Sequence, residues 1–259
     1  MKLDLYQIDA FAKKAFEGNP AAVVPLMTWL SDEVMQSIAA ENNLAETAFF
    51  VPTDTGFYIR WFTPTKEIAL CGHATLASAF VLYEYLDYQQ NQIEFDSLSG
   101  ILKVQKKADC LILDFPNQRP AATEISQDLI TGLGMTPSSC FESEDIIAVL
   151  DNEADVIAIT PDFDALSKLP LRGVIVTAPA NDYDFVARFF APKYGIPEDP
   201  VTGSAYTQLA PYWAECLDKN TLTAKQLSAR GGELECTVVG DRVLISGHAV
   251  SYLQGEINI

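Results

Sequence analysis

The chain has 259 residues, of which 49% are hydrophobic and 20% charged, an ordinary balance for a globular protein. Its 35 acidic and 17 basic residues give a formal net charge of −18, which repels nucleic-acid phosphates and anionic membrane surfaces. No apolar run approaches the ~20 residues of a membrane-spanning helix, and the N-terminus alternates like a strand rather than a signal peptide. We therefore expect a cytoplasmic protein with no nucleic-acid or membrane partner.

The cysteines argue against two further classes of protein. There are five, an odd number, and none forms a C-x-x-C pair. Neither a disulfide framework nor a zinc knuckle is expected from this pattern, and no metal site is predicted.

The first part of the chain predicts several strands and two helices. Ser31 is a predicted N-cap, followed by acidic residues in the first helical turn. Residues 73–86 are apolar on most sides, which predicts a buried helix. The predicted strands are 3–9, 21–26, 46–52, 56–63, 92–96, 100–105 and 109–115, and the predicted helices are 32–42 and 73–86.

A polar segment with two prolines, residues 114–124, predicts a linker between two halves. We place these halves at 1–115 and 116–259, and the last strand can return to the first half. Many strands and few helices, without regular alternation, predict an α+β fold. Beyond the linker, the predicted helices are 125–132 and 202–217, and the predicted strands are 145–150, 153–158, 172–178, 183–190 and two within 233–247. Pro211, inside the second of these helices, is expected to kink or shorten it.

The two halves contain a repeated sequence. RWFTP at 60–64 aligns with RFFAP at 188–192, and Gly72-His73-Ala74 then aligns with Gly203-Ser204-Ala205. Chance similarity between two strand–helix units is the alternative, but the agreement in phase and residue type favours an internal duplication. Both helix starts contain glycine and offer unpaired N–H groups, so together they can hold a small carboxylate or enolate.

Five segments in order resemble the PhzF-like family of phenazine biosynthesis, which shares the fold of diaminopimelate epimerase. They are GNPAAVV at 18–24, NNLAETAFF at 42–50, RWFTPTKEIALCGHATLA at 60–77, RFFAPKYGIPEDPVTGSA at 188–205 and RGGELE at 230–235. The resemblance implies two pseudo-symmetric halves, each a strand barrel around a central helix, with the active site in the cleft between them. It also implies a homodimer and acid/base isomerisation that needs no cofactor.

The resemblance assigns roles to seven residues. The catalytic residues would be Glu46, which carries the proton, His73 and Asp199; the substrate-binding residues would be Asn19, Gly72, Gly203 and Ser204. Four of them have a structural alternative: Glu46 as a solvated strand-end residue, His73 as a structural histidine, Asp199 as a helix cap and Ser204 as a helix-start hydroxyl.

Two further residues are interpreted as structural. Cys71 lies where the related epimerases have the first of two thiols, but Val201-Thr202 lies at the second position, so Cys71 is interpreted as a small buried filler. His248 follows the last predicted strand and has no comparable context.

The leading hypothesis is an isomerase that moves a proton on a small anionic carboxylate metabolite, for which a dihydro-hydroxyanthranilate is one possible substrate. One alternative is a non-catalytic metabolite-binding protein on the same scaffold. Another is a serine hydrolase that uses His73, Asp199 and Ser204, although no G-x-S-x-G elbow surrounds the serine.

Overall fold

The computed structural model describes all 259 residues and divides into two compact units. Unit 1 contains Met1–Asp114 and Ser246–Ile259, and unit 2 contains Phe115–Ile245. The predicted second half extended to residue 259, whereas residues 246–259 belong to unit 1. None of the helices combines the length and the apolar character needed to cross a membrane.

Strands outnumber helices throughout, as the predicted α+β class requires. The strands are β1 (Lys2–Ala10), β2 (Asn19–Pro25), β3 (Glu46–Pro52), β4 (Phe57–Phe62), β5 (Glu67–Ile68), β6 (Gln92–Asp96), β7 (Leu102–Lys107), β8 (Cys110–Pro116), β9 (Ala121–Ala122), β10 (Ser139–Glu142), β11 (Ile146–Val149), β12 (Val174–Pro179), β13 (Phe185–Phe190), β14 (Thr221–Gln226), β15 (Gly232–Val239), β16 (Arg242–Gly247) and β17 (Ala249–Asn258). The helices are α1 (Asp32–Asn42), α2 (Gly72–Glu84), α3 (Gln127–Leu133), α4 (Glu153–Ala158), α5 (Phe163–Leu166) and α6 (Tyr206–Leu217), with 3₁₀ turns at Pro192–Tyr194 and Gly203–Ala205.

Both units repeat one strand-pairing pattern. In unit 1, β2 pairs parallel with β3, β3 antiparallel with β4, β4 parallel with β6, and β6 antiparallel with β7. In unit 2, β11, β12, β13, β14 and β15 pair in the same order and directions. One apolar helix, α2 or α6, follows the third strand of each set. This shared topology supports the duplication inferred from the sequence.

The repeat extends to a partly buried ion pair in each unit. Arg60 Nε and Nη2 donate to the two carboxylate oxygens of Glu67, both at 2.7 Å. Arg188 donates to Glu198 in the same way, at 2.7 and 3.0 Å. Each guanidinium also lies over the phenylalanine ring two residues further along, at 5.1 and 4.9 Å from its centre. These bidentate pairs fix the segment that leads into α2 or the Gly203–Ala205 turn.

Helix α2 is the centre of the unit 1 core. It packs against β1, β2 and β3, and its apolar residues are buried on nearly every side. Ala74 and Ala77 permit close approach of the strands, while Leu76 and Val81 fill the space between them. The buried helix predicted for 73–86 is therefore present, and it ends at Glu84.

Helix α6 continues through Pro211, and it begins at Tyr206, after the 3₁₀ turn, and not at the predicted residue 202. A proline has no N–H, so the carbonyl of Thr207, four residues earlier, loses its helical partner. The backbone N–H of Gln118 donates to that carbonyl at 3.0 Å, and the Thr207 hydroxyl donates to Gln118 Oε1 at 2.6 Å. The segment predicted as a linker thus supplies the donor that the proline removes.

Several predicted elements are wrong in type or were missed. Residues 153–158, predicted as a strand, form α4, because Asn152 Oδ1 accepts from Asp155 N at 3.0 Å and caps a first turn rich in acidic residues. The β-branched residues in this segment suggested a strand, but Val156 instead faces the core of unit 2. Strands β10, β14 and β17 were not predicted.

Candidate active site

The unit 1 site lies where two parallel strands begin. Asn19 is the first residue of β2 and Glu46 the first of β3, and Glu46 is in register with Ala21. Because side chains alternate along a strand, Asn19 and Ala21 point to the same face, and so does Glu46. Helix α2 packs on these strands and brings His73 to the same place.

His73 is the centre of the cluster, with a different partner at each ring nitrogen. Its Nε2 lies 3.1 Å from Glu46 Oε2. Its Nδ1 lies 3.3 Å from Asn19 Nδ2 and 3.5 Å from Cys71 Sγ. The Asn19 amide nitrogen can only donate, so Nδ1 accepts from it in the neutral ring and Nε2 carries the proton toward Glu46.

The surroundings set the charge state of the cluster. Burial lowers the pKa of His73, but the side chains of Cys71 and Glu46 outweigh it and hold the pKa well above its ordinary value. Burial raises the pKa of the Cys71 thiol. Glu46 Oε2, 3.1 Å from Nε2, is placed to stabilise the charged form of the ring.

Glu46 and His73 form a buried ion pair. They are 6% and 5% exposed, and Glu46 Oε2 lies 3.1 Å from His73 Nε2. The solvated-carboxylate alternative for Glu46 is therefore wrong.

The ligand atoms of Glu46, Cys71 and His73 lie within 4.8 Å of one another. Ligand atoms at this spacing can in general bind one metal ion. However, Nδ1 of the ring faces Cys71 and Nε2 faces Glu46. One ion cannot be bound through both nitrogens of one imidazole, so the arrangement suits a proton path better than a metal. Cys71 is buried, as predicted, but it also contacts the histidine.

Two residues near Asn19 in sequence were missed by sequence reasoning, Asp9 on β1 and Gly18 in the loop before β2. Asp9, 1% exposed, accepts from the backbone N–H of Phe16 at 2.9 Å. Gly18 has φ +67°, and a Cβ there would lie 2.1 Å from the carbonyl oxygen of Ala10. Only glycine fits this conformation and this contact, which explains the glycine of the GNP segment. An acidic residue on the core-facing side of a strand was the available signal for Asp9.

In unit 2, the predicted site residues cluster around Gln226, a further residue missed from the sequence. Asp199 Oδ2 accepts from the Thr202 hydroxyl at 2.5 Å. Gln226, 1% exposed, accepts from Thr202 N at 2.9 Å and donates to the Asp199 carbonyl at 2.8 Å. Asp199 therefore stabilises its own loop, and the residues at the cap positions are Thr202 for the 3₁₀ turn and Ala205 for α6. Gly203 and Ser204 follow in the 3₁₀ turn that leads into α6.

The two helix starts singled out from the sequence differ from those of α1, α3, α4 and α5. Helices α1, α3, α4 and α5 each have a side-chain cap, provided by Ser31, Ser126, Asn152 and Asp162. The start of α2 and the Gly203–Ala205 turn have none. Their N-terminal N–H groups are therefore not occupied by a capping side chain, as a site for an anion requires.

Among the predicted site residues, the structure brings together Asn19, Glu46 and His73 in unit 1, beside Gly72. It brings together Asp199, Gly203 and Ser204 in unit 2. Both nitrogens of His73 face unit 1 side chains, and Asp199 is engaged by Thr202.

Comparison with known proteins gives full-length matches. The family model described as phenazine biosynthesis-like protein, PhzC-PhzF, matches residues 8–255. A Pseudomonas aeruginosa protein named as an uncharacterized isomerase is 52% identical, with all of both chains covered. The crystal structure of a PhzF-family protein from Enterococcus faecalis is 48% identical, with a TM-score of 0.98 over all of both chains.

A more distant structure has a similar fold. A hydroxyproline epimerase from Agrobacterium vitis is 12% identical, with a TM-score of 0.63 over 99% of this chain and 92% of that one. At this identity the similarity concerns the fold alone. It agrees with the predicted diaminopimelate epimerase-like architecture of two repeated halves, each built around one central helix.

Proposed function

Because this chain belongs to the phenazine biosynthesis-like family, as its motifs predicted, we propose that it is a cofactor-independent isomerase that moves a proton on a small carboxylate metabolite. The coarser prediction, an enzyme of the isomerase class, is confirmed by the names of its relatives. The substrate class and the mechanism are the proposal.

One observation carries the mechanism: a buried glutamate and a buried histidine lie 3.1 Å apart, carboxylate oxygen to ring nitrogen. A carboxylate in this position can remove a proton from an acidic C–H and return it to another carbon. The neighbouring imidazole contacts Asn19 through Nδ1. Its Nε2 can donate a hydrogen bond to Glu46 while the carboxylate is charged.

The developing negative charge on the substrate needs preorganised donors. The uncapped N–H groups at Gly72 and at Gly203–Ser204 are the proposed donors, and Asp199 is proposed to act on the substrate or on a group bound to it. These three assignments and the homodimer are predictions from the family resemblance, and the cytoplasmic location is a prediction from the sequence composition.

The test measures proton exchange at carbon. Wild-type protein is incubated in D₂O with a panel of small unsaturated carboxylates, including a dihydro-hydroxyanthranilate, and deuterium incorporation is followed by NMR. Glu46→Gln should lower the exchange rate by roughly 10²–10⁴-fold, the usual contribution of a positioned acid or base. Glu41→Gln is the matched control, because Glu41 is an exposed glutamate on α1, and it should exchange like wild type.

Equal exchange by Glu46→Gln and wild type would refute the role of Glu46. Tight binding of a panel member without exchange in wild type would instead favour the non-catalytic metabolite-binding alternative.

A further inference from the structure

Trp61 carries an indole N–H that the folded chain does not use. The side chain is 1% exposed, and its Nε1 is buried without a hydrogen-bond partner. Buried tryptophans usually donate this N–H to an acceptor. The other two tryptophans are accounted for, because Trp213 Nε1 donates to Thr177 Oγ1 at 3.0 Å and Trp29 is 37% exposed. The donor of Trp61 is therefore available to a bound molecule.

The strand register places Trp61 on the same face of the sheet as Glu46. Trp61 on β4 lies directly opposite Ala48 on β3, and Ala48 is two residues from Glu46. Opposed residues share a face of the sheet, and so do residues two apart along a strand. Glu46 is thus a diagonal neighbour of Trp61, at a separation that aromatic and long side chains can span.

The opposite face of these strands belongs to α1. Phe62, next to Trp61 in sequence, packs in one cluster with Met35 of that helix. Arg60, on the other side of Trp61 in sequence, lies with Phe62: its guanidinium lies over the phenylalanine ring and donates to Glu67. The positive charge nearest to Trp61 in sequence is therefore held on the far side of the sheet.

The chemistry of the Glu46 face favours a neutral donor. No lysine or arginine is among the buried residues, so a substrate anion beside Glu46 depends on other donors. A lysine or arginine at this place would lower the pKa of the carboxylate and weaken it as a base. The indole N–H of Trp61 can instead stabilise negative charge on the substrate without forming an ion pair with Glu46.

The internal repeat indicates that packing alone does not require an indole at this position. RWFTP at 60–64 aligns with RFFAP at 188–192, so the counterpart of Trp61 in unit 2 is Phe189. Phe189 is 4% exposed, and the guanidinium of Arg172 lies 5.3 Å from the centre of its ring. A phenylalanine thus fills the corresponding place in unit 2. Tryptophan adds a larger ring and one N–H donor in unit 1.

We infer that Trp61 is a substrate-binding residue whose indole N–H donates a hydrogen bond to a carboxylate oxygen of the bound metabolite. The inference rests on the proposed function, because that function places a small carboxylate against Glu46. A charged acceptor forms a stronger hydrogen bond with an N–H than a neutral one does. Trp61 therefore fixes the carboxylate end of the substrate while Glu46 removes a proton from carbon.

The first experiment follows the indole N–H signals of the full-length protein, labelled with ¹⁵N, by two-dimensional NMR. The protein is titrated with the panel of small unsaturated carboxylates used for deuterium exchange. Each of the 3 tryptophans gives one signal, and Trp61→Phe identifies that of Trp61. The Trp61 proton signal should move downfield as the hydrogen bond forms. The signal of Trp213, already bonded to Thr177, should stay in place.

The second experiment compares the kinetics of deuterium exchange. Trp61→Phe should raise KM by about 10–100-fold and leave kcat within a few fold, because a hydrogen bond to the carboxylate is present in the ground state and the transition state alike. A purely structural role would not give this separation of KM from kcat. Trp29→Phe is the matched control at a partly exposed tryptophan, and it should exchange like wild type.

The inference and the proposed function fail in different ways. A panel member that undergoes exchange without moving the Trp61 signal overturns the inference and leaves the isomerase function in place. A titration in which no panel member moves that signal also overturns it, as does a folded Trp61→Phe protein with the KM of wild type. A downfield shift without exchange in wild type supports the binding role of Trp61 and counts against the isomerase.

Discussion

Replacing Gln226 with leucine should destabilise unit 2, because this side chain satisfies several buried groups at once. It accepts from Thr202 N at 2.9 Å and from the Tyr206 hydroxyl at 3.4 Å, and it donates to the Asp199 carbonyl at 2.8 Å. Leucine has a similar size but can bond none of them. Each buried group left without a partner costs about 1–3 kcal/mol. Two well-formed bonds and one weak one give a total of roughly 2–5 kcal/mol.

The assay is thermal unfolding followed by circular dichroism. At roughly 2–4 °C per kcal/mol for domains of 150–250 residues, the Tm should fall by about 5–15 °C. Gln105→Leu is the matched control, because Gln105 is an exposed residue on β7, and surface changes usually stay within about 0.5 kcal/mol. A Gln226→Leu protein that unfolds within a degree of wild type would refute the reasoning.

Two more predictions follow from single residues. The raised pKa of His73 means that its charged form stabilises the fold fully below the unfolded-state pKa of about 6.5 and ceases to do so as pH rises through the folded-state pKa. The difference in Tm between wild type and His73→Asn should therefore be largest near the acid end of a series from about pH 5.5 to 9 and shrink toward alkaline pH. A difference in Tm that stays constant over this series would show that the charge on His73 is not its cause. Gly18→Ala should cost more than the ~1–2 kcal/mol of a left-handed residue, because its Cβ meets the Ala10 carbonyl. Gly134→Ala, with φ +68° and open space around it, should cost only the conformational part, so equal urea midpoints for the two variants would disprove the clash.

The sequence predicted well those features that depend on neighbouring residues. The Ser31 cap, the buried helix after Gly72 and the repeat around Arg60 and Arg188 were all visible as local patterns, and the structure contains each of them. Strand β17 was missed because it is largely exposed and shows little apolar alternation, while its partner β1 lies at the other end of the chain.

Features that depend on distant residues were outside the reach of sequence patterns. The family motifs named Glu46 and His73 separately, but no pattern indicated that they form a pair. The roles of Gln226 in holding the Asp199 loop and of Gln118 in satisfying the carbonyl freed by Pro211 arise only when segments far apart in sequence meet. Such contacts follow from the tertiary fold, not from local propensity.

The division of the chain has a consequence for how the protein is built. Unit 2 is one continuous stretch, whereas unit 1 closes only when residues 246–259 return and β17 pairs along the whole of β1. Removing that final segment would leave β1 with an unpaired edge, open to strand addition by another molecule. Truncation at the C-terminus is thus expected to promote aggregation through the N-terminal strand while unit 2 stays folded.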